Sequence, residues 1–143
     1  MTKIVAELGK HVAVVNPWDD RRFDGDFARA PAIEDKGERL ALYHQINTEL
    51  GRTNATSITS CDGVVAILDG VDVDSGTASE IGFGFAQGKR IYGLRTDFRL
   101  AGDNEGSIVN LQVQYFIEAS GGTIHTTVDG LTGAIQRWAA AEG

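Results

Sequence analysis

The sequence predicts an α/β fold, a parallel sheet with helices on both faces. Two observations carry this. CDGVVAILD (61–69) and RIYGLRT (90–96) are continuous apolar runs, the pattern of strands covered on both sides. Between and after them lie glycine-ended stretches with helical spacing, and strands alternating with helices imply parallel pairing. At 143 residues the chain is expected to form one domain, 1–143, with no internal repeat.

Taken in order, TKIVAELG (2–9) spaces Ile4, Val5 and Leu8 helically and ends at a glycine suited to a C-cap. HVAVVN (11–16) then reads as a short buried strand stopped by Pro17. Residues 17–35 mix charge, aromatics, Gly and Pro without period and read as a long loop, a type of segment that is usually functional or mobile. From about Lys36 to Ser60, Leu40, Tyr43, Ile46 and Leu50 predict a helix, with Gly51 as a candidate break. After the strand 61–69 comes a loop and a helix from about Gly76 to Gln87, ended by Gly88. Strand 90–96, the polar loop DFRLAGDNEGS, a helix in IVNLQVQYFIEAS, the short strand TIHTT and a terminal helix in VDGLTGAIQRWAAA complete the chain.

Composition narrows the function. With 13 Lys+Arg against 20 Asp+Glu the net charge is -7, which repels nucleic-acid backbones and anionic membranes and favours a small-molecule partner. Cys61 is the single cysteine, so no internal disulfide or cysteine-rich metal site is possible. His11, His44 and His125 have no metal-ligand spacing, and no cofactor or metal is expected. No apolar run approaches the length of a membrane span and no leader pattern opens the chain, so a cytoplasmic location is the default expectation.

The most informative stretch is VDVDSGTASEIGFGFAQGK (71–89). In open parallel sheets, ligands sit beyond the carboxyl ends of the strands, where such loops gather. Asp74 or Ser75 can cap the helix, Gly76 lets backbone approach a ligand, and Thr77 and Ser79 supply hydroxyls without bulk. Glu80 falls within the first turn or so, where the helix dipole and free N–H groups favour a carboxylate. A capping Asp and an early Glu are also ordinary helix signals. They do not by themselves require acids at 72 and 74 and small residues at 76–79, 82 and 84 around one carboxylate.

CDGVVAILDGVDVDSGTASEIGFGFAQGKRIYGLRTD resembles the nucleoside 2-deoxyribosyltransferases, whose signature is an aspartate, a short Gly-containing link, Glu and Gly on a helix, then Gly-Lys and a strand. The likeness extends to GDNEGSIVNLQVQYFI (102–117) and, with HVAVVNPWDD, covers about residues 4–120. The resemblance implies a flavodoxin-like or Rossmann-like sheet. No residues here match the family's opening strand with its Ala-Gly-Pro-like turn and tyrosine, so a sheet lacking that strand is expected. It also implies that Glu80 is the nucleophile, forming a covalent deoxyribosyl ester that a second base opens with net retention. Asp74 matches the position that holds the sugar 5'-hydroxyl. Relatives acting on 5'-monophosphates tend to carry serine there, so the carboxylate favours a free hydroxyl. Asn110 matches an asparagine reaching that hydroxyl from a neighbouring subunit, and Gln112 a second residue lent across the interface. A homodimer or higher homo-oligomer is therefore expected, with a nucleoside and a free nucleobase as partners. Their bland reading is a solvated helix face.

Asn54 stands 26 residues before Glu80, where several family members have an aspartate that contacts or protonates the leaving base. An amide can bond a base edge but is no general acid near neutral pH. Protonation is assigned instead to Asp19 or Asp20 in PWDD, or to solvent, with a turn after Pro17 as the equal alternative. Trp18 and Phe23 could stack on a base or cover core. Arg95, Asp97 and Arg99 end a strand and could bind ligand or, by modest preference, fix the loop. Competing readings are an N-glycoside hydrolase of nucleosides or nucleoside 5'-monophosphates and a non-catalytic nucleotide-binding module.

Overall fold

Three β-strands build one parallel sheet in the order β1-β2-β3. β1 (Gly63–Ile67) runs beside β2 (Arg90–Leu94) with Gly63 opposite Arg90 and Ile67 opposite Leu94. β3 (Ile124–His125) continues the sheet beyond Gly93 and Leu94. The computed structural model describes residues 2–142. The helices are α1 (Thr2–Leu8), α2 (Asp24–Arg29), α3 (Lys36–Ser60), α4 (Ser75–Ala86), α5 (Leu111–Ala119) and α6 (Val128–Glu142). This is an α/β, Rossmann-like arrangement, and among the described residues no fourth strand flanks β1. None of these helices is long and apolar enough to cross a membrane.

The chain divides into two compact units. The first comprises residues 1–14 and 58–143. Its sheet sorts side chains by the two-residue period of a strand. Ala66 and Ile91, with Leu68 just beyond β1, face Ile81 of α4 and Val113 and Ile117 of α5. Tyr92 and Leu94 face the other way, onto Leu8 of α1 and Leu131 and Ile135 of α6. Burying each such Leu or Ile contributes about 1.5–3 kcal/mol, so these two layers supply most of the unit's stability. α4 lies close to the sheet because Gly84 has no side chain. A β-carbon there would stand 3.1 Å from Val64 Cγ2. Gly88, at φ +70°, takes the left-handed turn that ends α4.

The second unit, residues 15–57, carries polar links both within the 16–22 segment and from it to α3. Asn16 caps the 3-10 turn Pro17–Asp19, accepting from the Trp18 amide and donating to Asp19 Oδ1 at 2.9 Å. Arg22 grips Asp20 with both Nε and Nη2 and also reaches Thr53 Oγ1 at 2.6 Å. Ala30 and Ile46 are its fully buried apolar residues.

Several expectations are corrected. HVAVVN (11–16) is not a strand. Residues 13–16 are without regular structure and make no ladder, and Val14 and Val15 are exposed. Apolar alternation makes a strand only where a neighbour offers backbone groups to pair with. Instead Val12 packs into the layer beside α6. The loop at 17–35 contains α2 and two 3-10 turns, at Pro17–Asp19 and Ala30–Ala32. Gly51 does not break α3, which runs unbroken for 25 residues, since one helical glycine costs only about 1 kcal/mol against alanine. The helix expected in 108–120 begins at Leu111, because Asn110 caps it.

Candidate functional site

The loops that follow β1 and β2 both leave the carboxyl end of the sheet, and each runs into a helix capped by one of the expected site residues. Asp74 caps α4, its Oδ2 accepting from the Thr77 amide at 3.1 Å. With Ser75 as the first helical residue, Glu80 is the sixth and lies in the second turn of the helix. The dipole fades beyond the first turn, so the helix end acts on Glu80 less than the sequence implied. Glu80 is half-buried. One turn back on its own face lie Gly76 and Thr77, and helical side chains lean toward the N-terminus, so small residues flank the carboxylate on the side of the Asp74 loop. Gly76 sits close against the cap. A β-carbon at that position would stand 3.0 Å from Asp74 Oδ2 and press on the capping carboxylate. Ser79 is committed elsewhere, donating to the Ser75 carbonyl at 2.8 Å.

Asn110 likewise caps α5, its Oδ1 accepting from the Gln112 and Val113 amides at 3.0 and 3.4 Å. Its Nδ2 reaches Asp103 Oδ1 only at 3.5 Å, while Asp103 Oδ2 accepts from the Leu111 amide. Gln112 is exposed in the first turn. α4 and α5 are neighbours on one face of the sheet, with Phe85 and Phe116 stacked at 4.8 Å. Asp74, Gly76, Glu80, Asn110 and Gln112 thus belong to the first unit. Asn54, half-buried on α3, and exposed Asp19 belong to the second.

What sequence reading underrated is a clamp between the ends of β1 and β2. Asp69 Oδ1 accepts from the amides of Thr96 and Asp97 at 2.6 and 2.9 Å, and its Oδ2 from Thr96 Oγ1 at 2.7 Å. Asp97 in turn binds the Gly70 amide and pairs with Arg99. The signal available was an aspartate closing one strand and Arg-Thr-Asp closing the next, a pattern that reports a cross-link only once the two are known to be adjacent. An open concavity of about 520 Å³ lies over Asp69, Thr96, Asp97, Phe98 and Arg99. Neither Glu80 nor Asp74 lines it, and the polar side chains on its walls are engaged in the clamp.

Hydrogen bonds from the Arg99 side chain and amide hold the Asp97 carboxyl far below the usual carboxylate range. For Asp69, partial burial pushes upward most strongly of any single influence, yet the bonds from Thr96 and Asp97 together outweigh it and the net shift is downward. Both folded values lie below the ordinary 3.8, so the unfolded chain takes up protons first on acidification. Their contribution to stability is complete above that value and is lost as pH falls through the lowered ones. Melting temperature followed from about pH 7 to about pH 2 is expected to decline below about pH 4. The decline should be shallower in Asp97→Asn, and an unchanged profile in that variant would refute the assignment.

Removing the α4 cap should also register. Asp74→Ala is expected to lower stability by about 0.5–2 kcal/mol and Asp74→Asn, which still caps, by only about a few tenths. Equal losses in urea denaturation would contradict the capping role.

The sequence model of the nucleoside 2-deoxyribosyltransferase family matches residues 1–112. No curated protein matches the chain. Among solved structures, a crystal structure of a conserved protein from Enterococcus faecalis V583 is similar, with a TM-score of 0.56 and 22% identity over 95% of this chain and 86% of that one. At that identity the likeness speaks for the fold. The family match spans well over half the chain and includes both capped helix starts and Glu80, so this protein belongs to the nucleoside 2-deoxyribosyltransferase family.

Proposed function

We propose that the protein is a nucleoside 2-deoxyribosyltransferase that exchanges the base of a 2'-deoxyribonucleoside through Glu80. The observation that carries this reading is the setting of Glu80 on α4, with Gly76 and Thr77 one turn back and Asp74 at the helix head, in a chain of this family. A Glu80 carboxylate oxygen attacks C1' of the sugar. The new C–O bond forms as the C1'–N glycosidic bond breaks, and the bonding pair leaves with the base. A ring nitrogen of a second base then attacks C1' and displaces the carboxylate, so configuration is retained over the two steps. The carboxylate next to an oxocarbenium-like carbon gains from proximity and opposite charge.

Asp74 binds the 5'-hydroxyl through the carboxylate oxygen that does not cap the helix, and Gly76 leaves room for the sugar. The Asn110 amide NH2, only weakly tied to Asp103, and the exposed Gln112 complete the pocket of a neighbouring copy. Exposed Leu111 and Tyr115 on the same helix support such an assembly. Asn54 bonds a base edge. The leaving base takes its proton from Asp19 or solvent, with both Asp20 carboxylate oxygens held by Arg22. We place this activity in one cytoplasmic domain, in salvage of nucleobases.

The test is incubation with 2'-deoxyinosine, with and without adenine, following hypoxanthine and 2'-deoxyadenosine by chromatography. New 2'-deoxyadenosine is expected with adenine present. Hypoxanthine alone would replace transfer with hydrolysis, and a nucleoside that raises the melting temperature without turnover would reduce the protein to a binding module.

A further inference from the structure

Among the described residues Arg95 is the one charged residue that is buried, at 2% exposure. Its guanidinium donates to three backbone carbonyls: Nη1 to Leu68, and Nη2 to Gly70 at 3.1 Å and Arg99 at 2.7 Å. Carbonyl dipoles offset the desolvation of a buried cation less well than a carboxylate does, and replacing buried charge by apolar volume is often neutral or stabilising. Stability alone is therefore a weak reason for this arginine.

Its targets are specific. Leu68 and Gly70 bracket the exit of β1, and Gly70, at φ +127°, is the residue at which the chain turns into the Asp74 loop. Asp69 between them is held by Thr96 and Asp97, and the Gly70 amide by Asp97 Oδ2 at 3.3 Å. Four residues later comes the α4 cap. Between these two points the loop is steadied by Val73, buried in the core, and by the bond that the Val73 amide donates to Asp72 Oδ1 at 2.7 Å.

We propose that Arg95 is a positioning residue. It fixes the exit of β1 and so sets where Asp74 meets the sugar relative to Glu80. The assignment of substrate roles to Asp74 and Glu80 rests on the function proposed above.

Arg95→Met keeps the length and apolar stem while removing the donors, Arg95→Lys keeps the charge without the fork, and Asp69→Asn loosens the same clamp from its other side with Arg95 intact. Hydrogen exchange read by mass spectrometry is expected to speed by about tenfold in peptides covering 70–77 of Arg95→Met and Asp69→Asn, with less change in Arg95→Lys. Peptides from α5 and α6 should stay within about twofold. No change at 70–77, or uniform acceleration along the chain, overturns the proposal. In turnover, the native protein should prefer 2'-deoxyinosine to 2',5'-dideoxyinosine, which lacks the hydroxyl assigned to Asp74. Arg95→Met should shrink that preference by about fivefold or more, whereas a merely structural role lowers both rates equally. Equal loss overturns the positioning role. If the native protein turns over neither nucleoside, the proposed function fails, and the exchange result alone then decides the clamp.

Discussion

Glu80→Ala and Glu80→Gln are expected to lose base exchange by on the order of 10⁴-fold or more in kcat, the scale of removing a nucleophile from a group that acts as a unit. Gln is the sharper probe. It keeps the size and nearly the helix propensity of Glu, so α4 should still form. An amide oxygen is a poor nucleophile, and no ester can accumulate. Matching melting curves beside lost turnover would assign the defect to chemistry. Native protein given 2'-deoxyinosine without an acceptor should carry one deoxyribosyl unit on the peptide containing Glu80, and the Gln variant none. Turnover within about tenfold of native in Glu80→Gln would remove Glu80 from the nucleophile's role.

Ile81→Ala, one residue along, should damage the protein in a different way. Ile81 is completely buried against Ala66, Leu68, Ile91 and Ile117, so truncation leaves a cavity that close-packed neighbours fill only in part. The expected cost is about 2–5 kcal/mol, against about 5–15 kcal/mol for a whole domain. Urea denaturation should show a lower midpoint with an unchanged slope. Val71→Ala, at 76% exposure, is the matched control and should stay within about 0.5 kcal/mol. A loss below about 1 kcal/mol in Ile81→Ala would mean that α4 is not seated on the sheet as described. Adjacent residues thus separate the two links, since Glu80 should report chemistry and Ile81 should report packing.

Much of the fold was legible because its signals are local. The unbroken runs around Val64–Leu68 and Ile91–Leu94 read as strands, and they are, although Val65 on the edge strand β1 is exposed rather than covered, and Gly88 can end a helix wherever that helix lies. Helix starts were less sharp. Asp74 and Ser75 are both competent caps, and only the bond from the Thr77 amide to Asp74 chose between them. That choice made Glu80 the sixth helical residue rather than the fifth. The segment Val12–Asn16 shows the opposite limit. Its residues favour a strand, yet residues 13–16 pair with none of the three strands.

The sequence by itself determined the α/β class, the family, and the row Asp74, Gly76, Glu80 on one loop and helix. Periodicity, capping chemistry and short spacing all act within a few residues of chain. Only the tertiary structure decided which apolar segments became strands and that Arg95 is buried against Leu68 and Gly70 rather than solvated at a strand end. Those outcomes depend on backbone groups 25 or more residues away, and hydrogen bonds of that reach exist only after the sheet has brought β1 and β2 together.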